Sequence, residues 1–198
     1  MIDQHLTFES HVEYLSKKML KKFYILKRCD NKLNCYSKIL FYKSLIAPHI
    51  DYCSTVLFLL TDSQINEIQK IQNRCMRIIL KVSGRTHTKD MLEMLQWSSV
   101  KQRIYFNVLK FIHRIETGNV PEILSEKMIT RKELHKRCLR SNDSFHLPSA
   151  KKASTQNCLL YKGLKIYNDF RTSNRAEWST WNTLKIKNEM QHYVRLNY

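Results

Sequence analysis

Residues Asn34-Cys-Tyr-Ser-Lys-Ile-Leu-Phe-Tyr-Lys-Ser-Leu-Ile-Ala-Pro-His-Ile-Asp-Tyr-Cys-Ser-Thr-Val-Leu-Phe58 decide the fold class. Leu40, Phe41, Leu45, Ile46, Ile50, Val56, Leu57 and Phe58 spread over several faces of a helix, too many for one amphipathic stripe. Neighbours are therefore expected on all sides, with this segment as the centre of a helical core. Pro48 has no N–H to donate and clashes with the preceding turn, so it ends one helix and fits the first turn of the next. The expected shape is a bend with a buried arm on either side.

Working outward, the flanking segments read as amphipathic helices. Towards the N-terminus, Thr7 is the expected cap, and Phe8, Val12, Leu15, Met19, Phe23 and Leu26 recur at spacings of three and four. Lys17, Lys21, Tyr24 and Arg28 lie opposite that face, and Asp30-Asn31 breaks the helix. After Phe58, Thr61-Asp-Ser-Gln64 supplies an N-cap and an early acid, as the helix dipole prefers. Ile65, Ile68, Gln72, Cys75, Met76 and Ile79 then face inward, Lys70, Arg74, Arg77 and Lys81 form an outward row, and Gly84 is expected to close the helix. Thr88 is expected to cap a short helix through Leu95, with Trp97 as an apolar plug. A third long helix is expected from Ser99 to Thr117, stopped by Gly118. Its inward residues are Val100, Ile104, Val108, Phe111, Ile112 and Ile115, and Arg103, Asn107, Lys110 and Arg114 line the other side.

The character changes after Met128. Arg131 to Arg140 holds six basic residues and one acid without an apolar period, which predicts a solvated or weakly helical linker. Phe145-His-Leu-Pro148 is expected to be extended before its proline, and Asn157 to Phe170 to be helical but interrupted at Gly163. A last helix over Ser179 to Tyr193 is expected to dock through Leu184, Ile186 and Tyr193. Three Gly and three Pro in 198 residues argue against a turn-rich sheet. The expectation is an all-α fold, with a helical body over 1–127 and a looser basic region with a linker and two helices over 128–198.

The 34 Lys and Arg against 17 Asp and Glu give a net charge of +17, which points to a polyanionic partner. Six cysteines, at 29, 35, 53, 75, 138 and 158, form no Cys-x-x-Cys pair and read as reduced thiols of the nucleus or cytoplasm. No apolar run approaches the ~20 residues that span a bilayer, so no membrane partner is expected. His49 with Cys53 and His135 with Cys138 have short spacings, and His146 and Cys158 could complete the second set. The spacing is unlike a zinc knuckle, so buried Cys and surface His is the preferred reading and no metal or other cofactor is expected.

Several words of the sequence carry a resemblance. Tyr42-Lys-Ser-Leu-Ile-Ala-Pro-His-Ile-Asp-Tyr-Cys53 resembles the Tyr-x-Ser-Leu-Ile-x-Pro-x-Leu-x-Tyr-Cys segment just after the polymerase palm in jockey-type non-LTR retrotransposon reverse transcriptases. Ile2-Asp-Gln-His-Leu-Thr-Phe-Glu-Ser-His11, Ile68-Gln-Lys-Ile-Gln-Asn-Arg74, Trp97-Ser-Ser-Val-Lys-Gln-Arg103 and Gly118-Asn-Val-Pro-Glu-Ile-Leu124 are similar to further family words in the same order. So are His135, Arg140-Ser141, Pro148, Tyr161-Lys-Gly163 and Tyr167-Asn168, although Tyr167 stands where the family has tryptophan and the following Leu-Pro is absent. The resemblance implies a thumb-like helical body after a palm, and a start methionine inside an ancestral reading frame.

Polymerases of that family set two metals on an Asp-Asp pair, because the metals must clamp both the attacking and the leaving oxygen. The chain has no Asp-Asp dipeptide; its aspartates, at 3, 30, 51, 62, 90, 143 and 169, stand apart. The resemblance thus implies a C-terminal polymerase fragment without catalysis of its own. RNA or an RNA–DNA hybrid is the expected partner, with upstream polymerase sequence or another protein as further partners. Expected contacts are the rows Lys17, Lys21, Tyr24 and Arg28; Lys70, Arg74, Arg77 and Lys81; and Arg103, Lys110 and Arg114, whose helical spacing suits tracking phosphates and stacking a base. Two alternatives stand beside it: a retroelement-derived protein-interaction module, and a decayed reading frame without function.

Overall fold

The computed structural model describes residues 7–52, 54–118, 120–126, 128–134, 144–152, 156, 158–174 and 183–198. The fold is all-α, and among the described residues the only β feature is an isolated antiparallel bridge between Thr130 and Phe145. The chain divides into two compact units, Met1–Ile104 and Tyr105–Tyr198.

In the first unit, α1 (Glu9–Arg28) buries Val12, Leu15, Met19, Phe23 and Leu26 along one stripe. Its start differs from expectation: Phe8, not Thr7, occupies the cap position, at φ 58° and without a side-chain cap. The Phe8 ring is buried, and that packing holds a bulky residue in the left-handed region it otherwise avoids. The Thr7 carbonyl instead accepts from Gln64 Nε2 at 2.9 Å.

α2 (Cys35–Phe41) is capped by Asn34, whose side chain accepts from the Ser37 N–H at 2.8 Å, and it runs into a π-helical turn, Tyr42–Ile46. In that turn the Ala47 N–H reaches the Tyr42 carbonyl at 2.9 Å, one residue farther than an α-helical bond. The extra residue brings both Ile46 and Ala47 inward, in line with buried Tyr42 and Ile50. It also turns Leu45 outward to 40% exposure, and Leu40 is 54% exposed. The central segment therefore buries one stripe rather than all its faces, and Leu45 is not the core residue its composition suggested. Lys38 occupies an inward position instead, 1% exposed and paired with Asp30. Pro48 opens α3 (Pro48–Asp51) as anticipated, and α4 (Ser54–Leu57) follows.

α5 (Asp62–Leu80) begins with a complete capping box between Thr61 and Gln64 and buries every inward residue read from the sequence, together with Ile71. It ends earlier than Gly84: Lys81 adopts φ 55° and caps the helix by donating its N–H to the Arg77 carbonyl. Gln64 reaches Thr7, so α1 and α5 start side by side, and they pack against each other. α6 (Thr88–Leu95) has His87 at its cap position, whereas the Thr88 hydroxyl accepts from Asn73 Nδ2 at 2.9 Å. Trp97 then stacks on Tyr42, with centroids 4.3 Å apart and planes 19° from parallel.

α7 (Val100–Glu116) starts after a reciprocal Ser99–Gln102 cap; its residues through Ile104 belong to the first unit and the rest to the second. Gly118, at φ 71°, follows it. In the second unit Tyr105, Val108, Leu109, Ile112 and Ile115 are buried. The short helices α8 (Glu122–Ser125) and α9 (Arg131–Leu134) precede another π-helical turn, Leu159–Gly163, which continues as α10 (Leu164–Ser173). Gly163 does not interrupt this helix. Its backbone is helical, at φ −64°, and a Cβ there would stand 3.2 Å from Ile112 Cδ1, so glycine permits the close approach to α7. Asn168 binds the Phe145 backbone twice, at 2.9 Å each, which pins the bridged segment.

α11 (Thr183–Asn197) buries Ile186, Met190 and Val194, and Tyr193 meets Phe170 edge-on at 5.3 Å. Leu184, expected to dock, is 67% exposed. The stripe runs 186, 190, 194, and Leu184 lies half a turn off it. Residues 179–182 of the expected helix, most of the 131–140 linker, Trp178 and Trp181 lie outside the described residues.

Candidate nucleic-acid interface

The first row lies on the solvent face of α1, because Val12, Leu15, Met19, Phe23 and Leu26 commit the opposite face to the core. Lys17, Lys21, Tyr24 and Arg28 are all exposed. Lys17 meets Glu13 at 2.6 Å, a pair with both side chains 67% exposed and of little energetic weight. Tyr24 is 54% exposed, and its ring lies tilted beside that of Phe23, with centroids 5.4 Å apart.

On α5, Lys70 and Arg74 are exposed, and Lys81 is exposed at the left-handed cap. Arg77 is half-buried, and its Nε is sealed from solvent without a hydrogen-bond partner. Among the described residues Lys21, Arg28, Lys70, Arg74 and Lys81 have no carboxylate partner. Beside Lys70 a shallow hollow of about 600 Å³ is lined by Ser63, Asn66, Glu67, Gln69, Asn73 and Thr88.

A half-buried amide network lies beneath this region. Gln69 Nε2 donates to Gln72 and Asn73, Gln69 Oε1 accepts from the Val100 N–H at 2.8 Å, and Gln72 Nε2 donates to the Ser98 carbonyl at 3.1 Å. These bonds tie α5 to the Trp97 loop and so hold the basic row on a fixed helix.

The third row behaves differently. Arg103 is engaged by Asp51 through two bonds of 2.6 Å, which raise its already high pKa, so its guanidinium serves as a brace between α7 and α3. Lys110 lies over the Phe106 ring at 5.0 Å, and Arg114 is exposed with an interaction of its own. Arg103 belongs to the first unit, and Lys110 and Arg114 to the second.

Sequence reasoning missed a cluster on the flank of α1. Lys18 Nζ sits 4.5 Å from the centre of the Tyr14 ring, and Lys18 and Lys22 both act on His49 of α3. Burial, followed by the charges of those two lysines, holds the His49 imidazole below its ordinary value. No local signal could reveal it, since His49 is far from α1 in sequence.

Among the described residues no three metal-binding side chains gather, and Cys53, His135 and Cys138 lie outside them. Cys29, Cys35, Cys75 and Cys158 are free thiols, and burial pushes Cys75 up to about 12, which leaves it inert at neutral pH. Among the described residues no helix is long and apolar enough to cross a membrane.

No family model and no solved structure matches the chain. One curated protein does: over 119 residues the chain is 34% identical to the probable RNA-directed DNA polymerase from transposon X-element of Drosophila melanogaster. The match covers 59% of this chain and 13% of that protein, so the chain spans only a small part of its relative's length. The chain is thus similar to a region of a transposon's RNA-directed DNA polymerase.

Proposed function

We propose that the chain binds RNA or an RNA–DNA hybrid as a non-catalytic, post-palm part of a jockey-like polymerase, with the exposed cations of α1 and α5 following the phosphate backbone. One observation carries this reading: the α1 and α5 rows hold five cations without a carboxylate partner among the described residues, in a protein of net charge +17. A net positive charge could be spent on internal ion pairs, but these side chains are presented to solvent. The likeness to a transposon polymerase supports the choice of partner. The isolated aspartates support the absence of polymerisation by this chain alone. A second reading, docking of another protein, is favoured by Tyr36 and Leu40, which are 74% and 54% exposed one turn apart on α2.

The test is binding of single-stranded RNA and of an RNA–DNA hybrid across a salt series, for the native chain and for Lys70→Ala with Arg74→Ala, both exposed on α5. The expected result is weaker binding and a salt slope flatter by ~0.7 to 0.9 for each phosphate no longer neutralised. A folded double variant with native affinity and native slope would remove α5 from the interface.

A further inference from the structure

The hollow beside Lys70 has a lining that the phosphate rows do not use. Ser63, Asn66, Glu67, Gln69, Lys70 and Asn73 come from successive turns of one face of α5, and Thr88 is contributed by the start of α6. A volume of about 600 Å³ is in the ordinary range for a small-molecule site, but no aliphatic or aromatic residue lines this one. An apolar ligand has nothing to bury against there, whereas a planar polar group meets amides and hydroxyls.

The lining divides into a fixed part and a free part. Gln69 is spent on Gln72, Asn73 and the Val100 N–H, and Asn73 donates to the Thr88 hydroxyl at 2.9 Å. These bonds fix the wall, and the Thr88 hydroxyl, used there as an acceptor, keeps its own proton to donate. Asn66, Glu67 and Lys70 are exposed, and among the described residues their side chains have no partner. Glu67 and Lys70 stand three residues apart, a spacing at which such pairs form, yet they form no ion pair. A carboxylate left open beside cations that meet phosphates works against binding unless the strand brings it hydrogen-bond donors.

A carboxylate can accept two parallel hydrogen bonds and donates none. Of the RNA bases only guanine carries two adjacent donors, N1–H and N2–H, on its Watson–Crick edge. Guanine O6 lies beside them as an acceptor, which suits the Asn66 amide and the Thr88 hydroxyl. That edge is open only in an unpaired base.

We propose that the hollow binds an unpaired guanine of an RNA strand. Glu67 accepts from guanine N1 and N2, Asn66 and Thr88 donate to O6, and Lys70 meets the adjoining phosphate. This rests on the nucleic-acid reading above and adds base selectivity to it, since phosphate contacts position a strand and base contacts specify it.

The experiment uses the 198-residue chain and short single-stranded RNAs that are uridine throughout or carry one central guanine, adenine or cytosine. The native chain should bind the guanine strand roughly tenfold more tightly than the others, as one bidentate base contact allows. Glu67→Gln offers one acceptor and one donor in place of two acceptors, so it should abolish that preference without lowering affinity for the all-uridine strand. Asn66→Ala should reduce the preference and leave part of it. Guanosine monophosphate should compete better than adenosine monophosphate for the guanine strand. Circular-dichroism melts confirm that both variants fold. If Lys70→Ala with Arg74→Ala flattens the salt slope, but the native chain shows no guanine preference or Glu67→Gln retains it, the site is refuted and the wider reading stands. If the native chain binds no RNA, both fail. A preference for the adenine or cytosine strand would overturn the assignment of the base.

Discussion

The two units use their cations in different ways. In Met1–Ile104 most basic residues of α1 and α5 are exposed, the pairs of Lys17 with Glu13, Lys89 with Glu93 and Lys101 with Asp62 involve exposed partners, and those of Lys38 with Asp30 and Arg103 with Asp51 brace the helices. In Tyr105–Tyr198 Arg171 and Lys162 are drawn into the packing, while Lys151, Lys152, Lys165 and Lys187 are exposed. Arg171 binds Glu116, which also accepts from the Tyr167 hydroxyl and lies 3.7 Å from His113 Nδ1, and Lys162 sits 5.5 Å from the Tyr105 ring centre. Net charge alone therefore does not locate a binding surface; what matters is whether each cation already has a partner. By that measure the rows on α1 and α5 are candidates for the interface, and within the second unit Arg171 and Lys162 serve the packing instead.

The comparison is broken most forcefully in the cores. Ile46 is fully buried in the π-helical turn, and Ile46→Ala should cost roughly 2 to 5 kcal/mol through lost transfer energy and the cavity left behind. Leu45→Ala, one residue away but outward, should cost less than about 1 kcal/mol. Equal losses in urea melts would mean that the π-helical turn does not set the register of the segment.

A smaller effect probes the second unit. Glu116 is opposed by burial but held below its ordinary carboxylate value by hydrogen bonds with His113 and Tyr167 and by the Arg171 charge. Its folded value is depressed, so its contribution to stability is present above the ordinary value of 4.5 and is lost as pH falls through that region. Glu116→Gln should cost roughly 1 to 3 kcal/mol at pH 7, because Arg171 and the Tyr167 hydroxyl lose a charged acceptor. The variant should also lose less stability than the native chain between pH 5 and pH 3. An unchanged acid limb would show that this cluster does not knit the unit.

Much of the fold is legible in the sequence, and the failures have physical causes. The stripes of α1, α5 and α7 are readable because burial imposes a 3.6-residue period over many turns, and the Thr61–Gln64 capping box because its bonds are local. Leu45 is misplaced by its composition because a π-helical turn shifts the period by one residue without any compositional mark. Lys38 does not read as buried because lysine ordinarily faces water, and Asp30, which permits its burial, precedes the helix. Lys81 displaces Gly84 as the terminator although glycine is the usual left-handed residue. Of the candidate site, the rows on α1 and α5 are visible as spacing, but the engagement of Arg103 by Asp51 depends on packing between distant segments.

If cations without partners, rather than total charge, bind the strand, two charge-matched variants of the whole chain should behave differently. These are Lys21→Gln with Lys70→Gln in the first unit and Lys162→Gln with Arg171→Gln in the second, each confirmed as folded. The measurement is the slope of log affinity for single-stranded RNA against log salt. The first pair should flatten the slope by about 1.4 and the second should leave it unchanged. Equal flattening by both pairs, or by neither, would contradict the account.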